Sequence, residues 1–303
     1  MKKEIIIITG ANGMVAKALS KRLKTDYELR FLTRKKTSKN EFEWNVHQKT
    51  IDENVFDNAA HIIHLAGANI FEKRWSPTQK EEIINSRVDS AKLILECLKV
   101  RNQHLKSFVS SSAVGFYGAI TSEHIFKEED ASGNDFLAEV VRKWEAAADE
   151  FELEKIADRV VKLRTGVVFS EKGGALEKMV NSVKNGFGSA LGSGKQYIPW
   201  LHIDDLCSIY KKAIEDENFH GVFNAVAPQH VNNKDLTKTI AQQLNKTLWL
   251  PNVPSFILKL VFGEASSMIL EGSRVSSEKL EKTEFHFQYP NVKEMLNSLL
   301  AEK

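Results

Sequence analysis

Cysteine is almost absent from this 303-residue chain: there are two, Cys97 and Cys207, and both fall within apolar-periodic segments where a small buried thiol is expected. No chemistry is assigned to them. The histidines are scattered, and His61 and His64, three positions apart in a predicted strand, project from opposite faces, so no metal site is expected. Neither sign of charge dominates, since 42 Lys and Arg against 40 Asp and Glu leave a formal net charge of +2. No global field favours nucleic acid or an anionic membrane, and any anion site must be local. Long hydrophobic runs are also missing. The stretch Ile5-Ile6-Ile7-Ile8 is too short for a signal-peptide core and far short of the roughly 20 apolar residues that cross a bilayer, so a cytoplasmic protein without a membrane partner is expected. No internal repeat or low-complexity tract breaks the chain.

What is present is ordinary globular composition, with 42% apolar and 27% charged residues, which predicts a folded chain throughout. Short apolar runs at 5–9, 28–33, 61–65, 106–111 and 159–164 alternate with amphipathic stretches at 13–24, 77–100 and 136–155. That alternation predicts an α/β fold, a Rossmann-type doubly wound parallel sheet with helices on both faces. Beyond residue 170 the texture changes to glycine-rich segments, an aromatic strand candidate at 197–203 and short helical patterns up to Leu300, with Pro251 and Pro254 before the last helical group. The expected organisation is a dinucleotide-binding domain at 1–170, with segments around 197–225 returning to it, and a smaller C-terminal substrate lobe at 171–303.

The first apolar run leads through Thr9-Gly10-Ala11-Asn12-Gly13-Met14-Val15-Ala16 into a helix. Gly10 permits a tight turn, Gly13 lets the backbone approach a pyrophosphate, and Ala16 is small enough for close helix–strand packing. The unpaired N–H groups of the helix start then face the phosphates. Gly10, Asn12, Gly13, Met14 and Val15 are therefore the candidate dinucleotide contacts; the bland alternative is an ordinary strand–turn–helix.

The second strand ends in Thr33-Arg34-Lys35-Lys36, where a protein preferring NAD usually places an acid for the ribose 2′-hydroxyl. No acid is there. Arg34 can take a 2′-phosphate bidentately, with Thr33 adding a hydroxyl donor and Lys35 a charge, so NADP(H) is the expected cofactor. A solvated basic turn is the competing reading.

Several strings resemble the extended short-chain dehydrogenase/reductases, and among them the atypical, nucleotide-sugar-epimerase-like branch. They are Thr9 to Ala16, His64-Leu65-Ala66-Gly67, Arg74-Trp75, Ser110 to Gly118, Trp144-Glu145-Ala146-Ala147, Arg164 to Val168, Trp200 to Asp205 and Gly272 to Val275, and they span nearly the whole chain. The resemblance implies that Leu65, Ala66 and Gly67 line the adenosine-ribose side of the cofactor. It also implies that Glu82 and Arg87 border the cleft and that Val167 and Val168 approach the nicotinamide. Within that superfamily a Ser and a Tyr hold the substrate oxygen, and a Lys four residues beyond the Tyr lowers its pKa. Ser112 occupies the Ser position. Aligning the helix on Glu145 places Leu137 where the Tyr belongs and Val141 where the Lys belongs, and a one-residue slip gives Phe136 and Val140. Lys143 lies two positions farther on, about 200° around the helix from the Lys position. Tyr117, five residues after Ser112, offers a phenol from another direction; its alternative is a structural aromatic, and that of Ser112 a strand-end hydroxyl bonded to backbone.

On the substrate side, the four glycines Gly186, Gly188, Gly192 and Gly194 read as a mobile loop over the cleft. Lys195 and Arg274 are candidate contacts for an anionic ligand, or else an exposed loop lysine and a solvated arginine. His202, before Asp204-Asp205, reads as a hydrogen-bonded structural histidine. Two functions remain open: an NADP(H)-dependent oxidoreductase or epimerase acting by hydride transfer on a small or nucleotide-linked polar substrate, or an NADPH-binding sensor without catalysis. A homodimer through the helices flanking the 106–111 strand is expected by analogy.

Overall fold

The computed structural model describes residues 3–171 and 173–301. Its first strand, β1 (Ile5–Thr9), explains the opening isoleucines. Ile6 and Ile8 pack into the apolar layer on one face of the sheet and Ile5 and Ile7 into the layer on the other, and none of the four is more than 2% exposed. A parallel strand covered on both faces asks for a continuous apolar run rather than alternation. The same two layers separate the histidines. His64 bonds Ser90 on the face shared with Ile62, and His61 bonds Ser107 and Glu4 on the other side.

The chain continues through α1 (Met14–Leu23), β2 (Glu28–Thr33), a short hairpin of β3 (Glu41–Asn45) and β4 (Thr50–Ile51), and β5 (Ala59–His64). Next come α2 (Pro77–Val100), β6 (Leu105–Ala113), β7 (Ile125–Phe126), α3 (Phe136–Leu153), β8 (Ala157–Thr165) and β9 (Val167–Phe169). Ser76 caps α2 by accepting from the Gln79 N–H, with Pro77 in the first turn, and Asp135 caps α3 by accepting from the Ala138 N–H. After them follow α4 (Gly174–Lys184), β10 (Trp200–His202), α5 (Ile203–Glu215), β11 (Gly221–Ala225), α6 (Asn233–Gln243), α7 (Ser255–Phe262), α8 (Ser267–Leu270), β12 (Arg274–Val275), α9 (Glu278–Glu281) and α10 (Val292–Leu300).

The main sheet has eight strands in the order β11-β8-β6-β5-β1-β2-β3-β4, parallel except at the β3–β4 edge. This is the expected doubly wound α/β fold. Helices α2 and α3 cover one face; α1 and α5 cover the other together with residues of α4, α6 and α10. The chain thus returns to the sheet beyond the 197–225 segment. Its order reverses between β1 and β5, and a doubly wound sheet opens its ligand crevice at the carboxyl ends of the strands on either side of such a reversal.

The aromatic segment at 197–203 yields less strand than expected. Only Trp200–His202 is extended, because the His202 ring accepts from the Asp204 N–H and starts α5 at Ile203. The glycine-rich loop is anchored to the segment around Val253 and to α6. Val253 donates to the Ala190 carbonyl and Gly192 to that of Val253, both at 2.9 Å, and the Asn233 side chain accepts from Leu191 N–H at 2.8 Å. Gly188 could not carry a side chain, since a Cβ there would lie 2.7 Å from Val183. Gly188 is closely packed, and Gly186, Gly192 and Gly194 adopt positive φ. Among the described residues, no helix is long and apolar enough to cross a membrane.

Candidate functional site

At the reversal, the turn after β1 is locked to the end of β5. The Thr9 hydroxyl accepts from the N–H groups of Leu65 and Ala66, each at 2.9 Å. Gly10 has φ +68°, and a Cβ there would stand 2.9 Å from the Leu65 carbonyl oxygen. Glycine is therefore obligatory at position 10 for the fold itself. Gly13 is different. Its φ is −69°, it is exposed, and a Cβ would meet only the Gly10 carbonyl, at 3.1 Å. The space above Gly13 is open, and α1 behind it carries neither a side-chain cap nor an acid in its first turn. Helices α2, α3, α5, α6 and α10 each begin with a side-chain cap, whereas α4 and α7 share the uncapped start, α4 with Glu177 in its first turn and α7 behind Pro254. An uncapped helix start with an open glycine in front leaves N–H groups to be satisfied by an anion. Asn12 is exposed beside it, and Met14 and Val15 are half-buried.

A second electropositive point lies at the end of β5. The Arg87 guanidinium sits against Gly67, where a Cβ would be 2.9 Å from its Cζ, and 5.0 Å over the Trp144 ring. It donates to the carbonyls of Ile83, at 2.8 Å, and Ala68, at 3.2 Å. No carboxylate pairs with it among the described residues. Burial pulls its pKa down to about 10. An enclosed cation lacking a counter-charge, beside the buried and unpartnered indole nitrogen of Trp144, suits a ligand that brings negative charge. Glu82, one turn earlier on α2, is instead half-exposed and 3.7 Å from the His47 ring.

At the end of β2, Arg34 is exposed and makes no hydrogen bond or ion pair among the described residues. Lys36 lies over the Phe42 ring at 5.3 Å. Thr33 is buried and its hydroxyl donates to the Lys35 carbonyl at 3.0 Å, so this donor closes the turn rather than facing outward. Glu41, at the start of the neighbouring β3, accepts from Thr37 and Ser38.

Ser112 and Tyr117 are brought together, but inside the protein. Ser112 is 3% exposed and donates to the Glu145 carboxylate at 2.6 Å. That carboxylate is gripped bidentately by Arg164, at 2.8 and 2.9 Å. Arg164 also donates to the Tyr117 oxygen at 3.1 Å and lies 3.3 Å over the Phe116 ring. The Tyr117 phenol donates to Asn224 at 2.7 Å, is 4% exposed, and has its pKa pushed up to about 12 by burial. Neither hydroxyl faces the open end of the cleft. Sequence reading missed Glu145 and Arg164 as a pair; the signal was an arginine inside the apolar run 159–164, which must find a partner when buried.

Leu137 and Val141, the residues at the positions where the resemblance implies a Tyr and a Lys, lie at the turn after β6. A Cβ on Gly115 would lie 3.6 Å from Leu137 and 3.8 Å from Val141, so both side chains face the turn that follows β6. Lys143 points elsewhere, paired with Glu139 at 2.7 Å on the exposed side of α3. On the other side of the cleft, Val167 and Val168 are half-buried in β9, and Val168 contributes its carbonyl beneath Gly174. Lys195 is exposed. Arg274 pairs with Glu123 at 2.9 Å and lies 5.3 Å over the Tyr197 ring.

Two buried histidines carry a pH dependence of their own. Burial drives His64 down to about 3 and His202 to about 4, and both stay neutral in the folded chain at neutral pH. Unfolded, each titrates near 6.5. Between these values the unfolded state binds more protons, so this stabilisation is complete above about pH 6.5 and is lost as the pH falls toward 4. The melting temperature should fall between pH 7 and pH 5, and less so in His202→Asn, which keeps a helix cap. Equal slopes in the variant and the wild type would remove His202 from this account.

Residues 6–232 match the model of the NAD dependent epimerase/dehydratase family, and residues 253–299 match a domain of unknown function. The chain is 33% identical to the Arabidopsis thaliana protein called epimerase family protein SDR39U1 homolog, chloroplastic, over 97% of this chain and 86% of that one. Its fold superposes on the human epimerase family protein SDR39U1, crystallised with NADPH, with a TM-score of 0.87 and 28% identity, covering 99% of this chain and all of that one. The nucleoside-diphosphate sugar epimerase of Corynebacterium glutamicum superposes with a TM-score of 0.80 at 32% identity, and there the chain spans 58% of the other's length.

Proposed function

The chain belongs to the NAD dependent epimerase/dehydratase family, in the atypical branch of the extended short-chain dehydrogenase/reductases, and on that premise we propose that it binds NADP(H) at the β1–β5 reversal and serves hydride transfer with a small substrate. The observation that carries this is the uncapped start of α1 behind the open Gly13, with the unpaired Arg87 close by. The NADPH bound by the human relative and the acid-free end of β2 favour the phosphorylated cofactor. The Corynebacterium relative makes a nucleotide-linked substrate one candidate class.

Gly13 and the first N–H groups of α1 would hold the pyrophosphate, with Arg87 supplying positive charge from the β5 side. Arg34 and Lys35 would take the 2′-phosphate, Leu65 to Gly67 the adenosine-ribose side, and Val168 the nicotinamide side. Bound NADPH supplies a hydride. Leu137 and Val141 can exclude water from that end of the cleft and cannot move a proton. The second reading, an NADPH-binding sensor, draws its support from that same pair and from the enclosed hydroxyls of Ser112 and Tyr117. Following NADPH absorbance while sugar nucleotides and carbonyl compounds are added separates the two: oxidation with any of them supports hydride transfer, and none with a broad panel supports the sensor.

Cofactor choice rests on one side chain. Arg34→Ala should weaken NADPH about 10- to 100-fold and leave NADH nearly unchanged, because a charge-assisted pair is lost only with the phosphorylated ligand. Calorimetry on the wild type giving equal affinities for the two cofactors would overturn the assignment.

A further inference from the structure

Resting on the hydride-transfer reading, we propose that the substrate site takes an uncharged, flat, conjugated carbonyl compound of the quinone or enone class rather than a nucleoside diphosphate. The turn at Gly115 is faced by the apolar side chains of Leu137 and Val141. Phe136, next on the same helix, meets Trp75 edge-on at 5.0 Å, and Trp75 is fixed by its indole N–H donating to the Ile70 carbonyl at 2.8 Å. The loop that carries Trp75 also presents Phe71, 43% exposed. Arg74 of this loop donates to the carbonyls of Leu260 and Val261, bringing α7 to the same rim. Those two side chains are 72% and 56% exposed. Aromatic and aliphatic surface thus continues outward from the corner where the family would place its acid.

Three cations of the rim are already committed. Arg74 is held by the α7 carbonyls, Lys80 by Glu264 and the Phe136 ring, and Arg274 by Glu123. A diphosphate entering here would have to compete with these pairs for its counter-charge.

The chemistry agrees with the lining. With no acid in position, hydride reaching a simple ketone would leave an alkoxide stranded in an apolar corner. A conjugated acceptor avoids this. One of its carbons gains the hydride and the two electrons it carries, the dihydronicotinamide becomes the oxidised pyridinium, and the distal oxygen is left as an enolate or phenolate that takes its proton from water. A phenol of this kind, like Tyr, has a pKa near 10, so its anion persists long enough to be protonated by solvent.

The test measures binding without turnover. Protein saturated with NADP⁺ is titrated calorimetrically with 2-methyl-1,4-naphthoquinone and, separately, with UDP-glucose. The naphthoquinone should bind at least tenfold more tightly than the sugar nucleotide. Phe136→Ser and Leu137→Asn should each weaken it about tenfold, the loss expected when one apolar side chain no longer covers the ligand. Retained NADP⁺ affinity in these variants shows that they are folded. Tighter binding of UDP-glucose, or naphthoquinone binding unaltered in both variants, overturns the proposal while leaving NADP(H) binding in place. Failure of wild type to bind NADP⁺ or NADPH at all sinks the functional reading on which it stands.

Discussion

Gly13→Val should lower NADPH affinity on the order of a hundredfold or more while the protein still folds. The two glycines of the turn separate fold from function. Gly10 has φ +68° and no room beside the Leu65 carbonyl, so substitution there would disturb the β1–β5 junction and any loss of binding would be ambiguous. Gly13 has ordinary backbone angles and one close neighbour, the Gly10 carbonyl oxygen 3.1 Å from a built Cβ, which a shift of a few tenths of an ångström relieves. The branched side chain of valine would then occupy the space in front of the α1 N–H groups, where the pyrophosphate has to approach. Circular dichroism and melting temperature check the fold, and calorimetry with NADPH reads the effect. A folded Gly13→Val variant with wild-type affinity would remove the phosphate turn from the site.

Arg164→Met should destabilise the protein by about 3–5 kcal/mol, because it leaves the Glu145 carboxylate buried without its cation. Arg164 is 4% and Glu145 8% exposed at the side chain, so water cannot replace the lost partner. The same change removes the donor to Tyr117 and the cation over Phe116. Adding Glu145→Leu to make the double variant should recover a large part of the loss, since removing both members of a buried pair costs far less than removing one. Urea unfolding of the two single variants and the double gives the coupling directly. Additive losses would show that the pair does not act as a unit. Because Ser112 and Tyr117 hang from this pair, the single variant should also loosen the turn after β6 that faces Leu137 and Val141.

How much could be read from the chain depended on how local each signal is. The runs at 5–9 and 28–33 coincide with β1 and β2, and the 77–100 pattern with α2, because burial on both sheet faces and amphipathic periodicity are written into consecutive residues. The β3–β4 hairpin was not anticipated; β3 buries only Trp44, and β4 is two residues long. β11 lies within the 197–225 segment expected to return to the sheet, but its bounds were not legible, because it is five residues long and pairs with β8, more than 50 residues earlier. His202 showed the local limit from the other side, its ring ending a strand pattern that the aromatic residues alone would have prolonged.

The site divides along the same line. Sequence alone determined the glycine turn and the missing acid after β2, each fixed by spacing along one strand or helix, and the family resemblance marked Leu137 and Val141 as the residues at its Tyr and Lys positions. Only tertiary structure decided what surrounds them. Glu145 and Arg164 are 19 residues apart and become a buried pair because α3 packs on β8. Ser112 and Tyr117 were read as candidates to orient substrate, yet the partners that enclose their hydroxyls come from α3, β8 and β11. Arg87 became a cation without a carboxylate partner among the described residues because the groups folded around it are carbonyls and an aromatic face. A residue's type follows from the chain; whether its charge or hydroxyl is free to act depends on which distant groups folding places within hydrogen-bonding distance.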